Sequence, residues 1–243
     1  MRSLTYQRFC AGILAAALAL LAAVVGAAPP DGQLPPGMVG SKPTDTSSPV
    51  VALGGGLYKV GSVLVDRKAS LLSIPGRVNQ REGPIEYLAV APDGKTYESV
   101  LTLQAQPLHI QLGLLLLGAN FGGNLAFQGD TALPKGDSVD VSVSWIGDKG
   151  DSVHLPATDL MYEWDSHVVM PPTSWIFTGS MVRDTNLFAA DMEGSIIAVY
   201  SDPVAILNNP AQGRINQTVY RPNADLLPPV GTNLTMKIKV PRR

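Results

Sequence analysis

The chain has 243 residues, 45% hydrophobic and 16% charged, which excludes a disordered polymer and fits one sizeable globular domain. Its formal net charge is −2 and no block of Lys or Arg stands out, so the clustered cations a nucleic-acid surface needs are missing. Cys10 is the only cysteine.

The N-terminus reads MRSLTYQRFCAGILAAALALLAAVVGAAPP. Arg2 and Arg8 form a positive patch, Phe9 to Val25 is an unbroken apolar run, and Val25-Gly26-Ala27 offers a cleavage site. Residues 1–27 are therefore expected to be a signal peptide, with a periplasmic or secreted product. The alternative is an uncleaved helix anchored in the membrane. Cleavage leaves 16 basic against 20 acidic side chains, a net charge of −4, and no cysteine. Disulfides, cysteinyl iron–sulfur clusters, thiolate zinc and thiol catalysis are thereby excluded from the mature chain, and no cofactor or metal is expected.

Residues 28–56 are rich in Pro, Gly and Ser and poor in large apolar side chains, as a flexible linker would be. The globular domain is placed at 57–243. LYKVGSVLVDRKASLLSIPGRV alternates around a polar turn at Asp66-Arg67-Lys68. PIEYLAVAPDGKTYESVL predicts a hairpin turning at Asp93-Gly94. In that register Glu86 opposes Leu101 and Glu98 opposes Ala89, so the two carboxylates fall on opposite faces.

PLHIQLGLLLLGAN predicts a buried helix, too short to cross a membrane, with Leu108, Leu112, Leu115 and Leu116 on its apolar face and Gly118 at its end. His109 sits in its first turn, with its ring near Gly113. SVDVSVSWIG, SWIFTGSMV and TNLTMKIKV read as strands. NLFAADMEGSIIAVYS reads as a second hairpin turning near Met192-Glu193-Gly194. DPVAILNN predicts a short helix with Asp202 as N-cap and Pro203 in its first turn. The two hairpins resemble each other only as hairpins do, so no internal repeat is expected. The sum is an α+β, β-rich single domain with antiparallel hairpins and about two helices.

Motifs for chemistry are sparse. APDGKT lacks the opening glycine and the following helix of a phosphate loop, FTGSM lacks the spacing of a nucleophile elbow, and GGGLYKVGS lacks the dinucleotide fingerprint. EWDSH, Glu163 to His167, has no second histidine at helical spacing and reads as a loop with solvated charges rather than a metal site.

VNQREGPIEYLAVAPDGKTYESVL, LHIQLGLLLLGAN, WIFTGS, FAADMEGSIIAVYSDPVAILNNP, TVYRPN and LLPPVGT, in that order, resemble the YdjY-domain family of bacterial exported proteins over about Val60 to Val240. The resemblance implies export and a single domain, and no reaction. Some relatives carry an iron–sulfur label, which cannot transfer to a cysteine-free mature chain. The family's polar pattern maps onto Glu86, Lys95, Glu98 and Ser99, with Tyr97 where a histidine is common.

Glu86, Lys95, Glu98 and His109 are the candidate ligand-binding residues, and no catalytic residue is assigned. The expected function is an exported, non-catalytic binding or accessory domain of a cell-envelope or redox assembly. Its partner is a protein or a small ligand, met through an apolar or aromatic surface patch for which Trp164, Trp175 and Tyr97 are the candidates, although aromatics of this kind are more often core. The alternative is an extracytoplasmic hydrolase or metal-assisted enzyme, which requires His109 or His154 to meet Glu86, Glu98 or Asp202 in one cleft.

Overall fold

The computed structural model describes residues 49–183 and 187–242. The signal segment expected at 1–27 lies outside these residues, as does the linker up to residue 48. The remaining stretch of that linker is not all loop, because the first strand is β1 (Val50–Gly54). It opens a meander with β2 (Leu57–Val60), β3 (Val63–Asp66) and β4 (Leu71–Val78), each antiparallel to the next. After β5 (Tyr87–Val90) and β6 (Ser99–Leu103) comes helix α1 (Pro107–Leu116). Then follow β7 (Ser138–Ile146), β8 (Ser152–Pro156), β9 (Met161–Glu163), β10 (Val168–Val169) and β11 (Trp175–Phe177). The last elements are α2 (Ala189–Glu193), β12 (Ser195–Ala198), β13 (Leu207–Asn208), β14 (Tyr220–Pro222) and β15 (Asn233–Lys239).

Eight strands close into a barrel in the order β4-β15-β7-β11-β13-β12-β5-β6 and back to β4. Closure removes the open edges a sheet of this size would otherwise expose. Period-2 alternation faces one side of each long strand into a common core: Leu72 and Ile74 of β4, Val139, Val141, Val143 and Trp145 of β7, Leu234, Met236 and Ile238 of β15. These three strands are where sequence alternation is cleanest. The antiparallel hairpins expected of the fold are present at β1–β2, β2–β3, β3–β4 and β7–β8.

The segment around Asp93-Gly94 is different. β5 and β6 are parallel, with Tyr87 beside Ser99 and Ala89 beside Leu101, so residues 91–98 return the chain to its starting level instead of reversing it. β12 and β13 repeat the arrangement: they are parallel, joined by residues 199–206. β5 pairs antiparallel with β12, and β7 with β15. The barrel therefore has a two-fold correspondence of topology, β4-β5-β6-β7 against β11-β12-β13-β15, that no sequence similarity announces. Every residue of β5, β6, β12 and β13 is buried, as parallel strands covered on both faces require.

The other differences have local causes. DPVAILNN is not a helix: Asp202 Oδ1 accepts the Val204 N–H at 2.8 Å and closes a turn, after which Leu207–Asn208 joins the barrel as β13. The segment around Met192 is a five-residue helix, α2, ended by Gly194 in the left-handed region, and not a hairpin turn. Helix α1 forms where expected, but Pro107, Ile110, Gln111, Gly113 and Leu114 are its buried residues, while Leu108, Leu112, Leu115 and Leu116 are half-exposed. Gln111 tolerates burial because its Oε1 accepts the Ser180 N–H at 3.1 Å. Gly113 admits Leu72 and Val65 closely, and the His109 ring lies instead against Gly61 of the β2–β3 turn.

Candidate functional site

Parallel pairing of β5 and β6 sets Glu86 next to Glu98, just before the two strands, with the Glu86 N–H donating to the Glu98 carbonyl at 3.0 Å. The expectation of opposite faces fails because a parallel pair is in register where a hairpin would be reversed. Lys95, on the 91–98 connection, donates to the Tyr87 hydroxyl at 3.1 Å, and its Nζ lies 4.0 Å from Glu193. The Tyr87 hydroxyl donates to Asp202 Oδ2 at 2.7 Å, joining the first crossover to the second. Asn208 completes the network: its Oδ1 accepts the Asp202 N–H at 2.8 Å, and its amide donates to the Asp202 carbonyl at 2.8 Å and to Thr178 Oγ1 at 2.9 Å.

Three of the four sequence-selected residues, Glu86, Lys95 and Glu98, thus share one neighbourhood with Asp202. His109 does not join them. It lines a separate depression with Asp93, Gln106 and Asp191, and burial lowers its pKa against the pull of Asp191. His154 is on β8, 2.9 Å from the Ser152 hydroxyl. Among the described residues, no three His, Cys, Asp or Glu side chains gather closely enough to hold a metal ion.

A second feature lies on the small sheet β10-β9-β14. Its inner face sends Met161 and Tyr220 into the core. By strict alternation its outer face carries Tyr162, flanked across the strands by Val169 and Arg221. The Trp164 N–H donates to the Val219 carbonyl at 2.8 Å, which carries the same face one step further. His167 turns the chain back with φ +53°, a left-handed conformation that costs a histidine roughly 1 kcal/mol and places its ring over Tyr162 at 5.9 Å and 17°. Trp164 stands 5.7 Å from the His167 ring, and the Arg221 guanidinium lies over Trp164 at 5.1 Å.

These side chains floor a groove of about 830 Å³ walled by Arg81, Glu82 and Gly83 on one side and Asn223 to Leu226 on the other. An Arg81 to Ala224 carbonyl hydrogen bond links the two walls. Of the three aromatics proposed for a surface patch, Trp164 is 49% exposed and Tyr97 75%, while Trp175 is core. Glu163 to His167 reads as a solvated loop in the sequence; the structure exposes Asp165 but half-buries Glu163, and the outward alternation of Tyr162 and Trp164 is the sequence signal for the platform.

The family model for the YdjY domain matches residues 63–239, most of the chain. The protein belongs to the YdjY-domain family. Both the Glu86–Lys95–Glu98–Asp202 cluster and the aromatic groove fall inside the matched YdjY segment. No curated protein and no solved structure matches this chain.

The YdjY fold leaves an electrostatic signature. Burial raises the pKa of Asp202, Glu86, Glu98 and Asp191 above the ordinary carboxylate range, and Glu86 adds to the rise at Glu98. The folded state then holds protons that the unfolded chain has already released, so stability falls as pH climbs from the ordinary carboxylate range through these raised values. Asp130 acts oppositely: backbone N–H groups of Ala132 and Ala126 hold its pKa down, and that stabilisation disappears as pH drops through its depressed value. The lowered pKa of His109 works oppositely near the ordinary histidine range, so the comparison is made in His109→Gln, whose urea midpoint is expected to be higher at about pH 5.5 than at about pH 7.5. A midpoint that rises over this interval contradicts the assignment.

Proposed function

We propose that this YdjY domain is an exported, non-catalytic binding domain whose ligand occupies the groove over Tyr162, Trp164 and His167. One observation carries the reading: the Trp164 and His167 rings stand exposed beside half-buried Tyr162 on one face, with Arg221 over Trp164. Folding gains little from such exposure, and His167 spends backbone strain to complete the platform. The groove's volume falls in the range of small-ligand sites, roughly 300–1,000 Å³. The N-terminal signal and the linker expected behind it support a role at the cell envelope.

A screen of a fragment library by protein NMR tests the site. Hits are expected to cluster on the resonances of Tyr162, Trp164, His167 and Arg221. Hits confined to other surfaces would remove the reading.

His167→Gly separates function from stability. Glycine adopts the left-handed conformation freely, which recovers about 1 kcal/mol and offsets the lost ring contact, so the urea midpoint should stay nearly unchanged. Fragment affinity at the groove should fall about tenfold, equivalent to about 1.4 kcal/mol. Equal affinity in the variant would show that the ring plays no part in binding.

The alternative, a hydrolase, has one observation in its favour: Glu86 and Glu98 are neighbours beside Lys95, with burial raising both carboxyls. The histidine that reading required is elsewhere. Turnover of chromogenic ester, glycoside or phosphate probes, abolished by Glu98→Gln, would establish it.

A further inference from the structure

We propose that the groove binds a neutral glycan. This rests on the binding reading and names its ligand class. A sugar ring offers an apolar C–H face and a rim of hydroxyls. It therefore asks for flat apolar rings below and paired donors and acceptors at the edge.

The groove supplies both. Tyr162 and Trp164 lie 6.3 Å apart, centroid to centroid, on one face of the sheet, and His167 is within 6 Å of each. Exposed Val169, paired across from Tyr162, extends the apolar floor onto β10. Around it stand Arg81 and Arg221 as donors and Glu82 and Asp225 as acceptors.

Charge decides among ligands. Two cations and two anions cancel, so a polyanion would meet Glu82 and Asp225 and a polycation would meet Arg81 and Arg221. A neutral polyhydroxyl ligand uses all four without an unpaired charge. Charged hydrogen-bonding groups on both walls also suit hydroxyls better than the apolar rings of a proline-rich peptide, which would leave them desolvated.

The platform is pre-organised. Arg221 is tied to the carbonyls of Thr218 and Tyr220 at 2.8 and 3.0 Å while it covers Trp164, so little side-chain freedom remains to be lost on binding.

The test uses the protein as purified from an expressing bacterium, applied to an array of neutral, uronic-acid and amino-sugar glycans together with a polyproline peptide. Binding to at least one neutral glycan is expected, with a change in tryptophan fluorescence and at least a tenfold weakening in both Trp164→Ala and His167→Gly. His167→Gly keeps the test decisive if Trp164→Ala folds poorly. Preference for charged glycans or for polyproline overturns the glycan class while leaving the groove as the site, as does silence from every neutral glycan when fragments still bind there. Neutral-glycan binding that both variants retain places the ligand elsewhere and overturns the site as well.

Discussion

Asp202→Ala is expected to lower the free energy of unfolding by about 3 kcal/mol, among the larger single-residue effects in this protein. Asp202 is 3% exposed and accepts two hydrogen bonds, one from the Tyr87 hydroxyl at 2.7 Å and one from the Val204 N–H at 2.8 Å. Truncation removes the carboxylate acceptor of a buried phenol, which keeps only the Ser195 hydroxyl beside it, and leaves a buried N–H with no partner. Asp202→Asn keeps an acceptor and should lose about half as much, and Tyr87→Phe about 1–2 kcal/mol. Combining Asp202→Ala with Tyr87→Phe should cost less than the sum, because the second change removes the group the first one orphaned. Urea unfolding of the four variants measures this. A loss under about 0.5 kcal/mol for Asp202→Ala, or strict additivity, would show that the bond does not staple the crossovers. The variant should also show a weaker fall of stability with pH, since the most buried of the raised carboxyls is gone.

Gly194→Ala is expected to destabilise by about 2–4 kcal/mol. Two costs add. Gly194 ends α2 with φ +68°, which an L side chain resists, and a methyl there would fall on the Cα of Gly94. The two glycines let the first crossover pass against the end of α2, where the Ala91 N–H also donates to the Gly194 carbonyl at 2.8 Å. Gly150→Ala is the control: its φ is +80° but nothing lies within 4 Å of the added carbon, so only the conformational cost of about 1 kcal/mol should appear. Similar urea midpoints for the two alanine variants would mean that the crossover moves aside at little cost.

The elements that were legible in advance share one property: their signal is local. β7 and β15 alternate residue by residue, α1 is an apolar run of helical length, and Asp66 marks the turn after β3, its Oδ1 accepting the Ala69 N–H at 2.9 Å. Asp202-Pro203 is the instructive case. A helix N-cap and the turn that closes before β13 begin alike, with an aspartate side chain accepting an N–H two residues on. Only the chance to pair with β11 and β12 makes the chain extend instead of coil. Likewise, three of the four chosen site residues do gather, but about Asp202, which the sequence marked as a cap.

The sequence by itself determined family membership, the β-rich class, the long strands and helix α1, since composition, periodicity and motif order are properties of neighbouring residues. Tertiary structure decided the rest. Asp93-Gly94 is an equally good turn in a hairpin and in a crossover, and the pairing of β5 with β6 is set by burial on both faces and by β12 on the far side. The groove is assembled from Arg81–Gly83, Tyr162–Val169 and Arg221–Leu226, three stretches that meet only when the small sheet anchors Met161 and Tyr220 in the core. Long-range contacts of this kind leave no periodic trace in the chain, because each half of the contact is satisfied by residues far away in sequence.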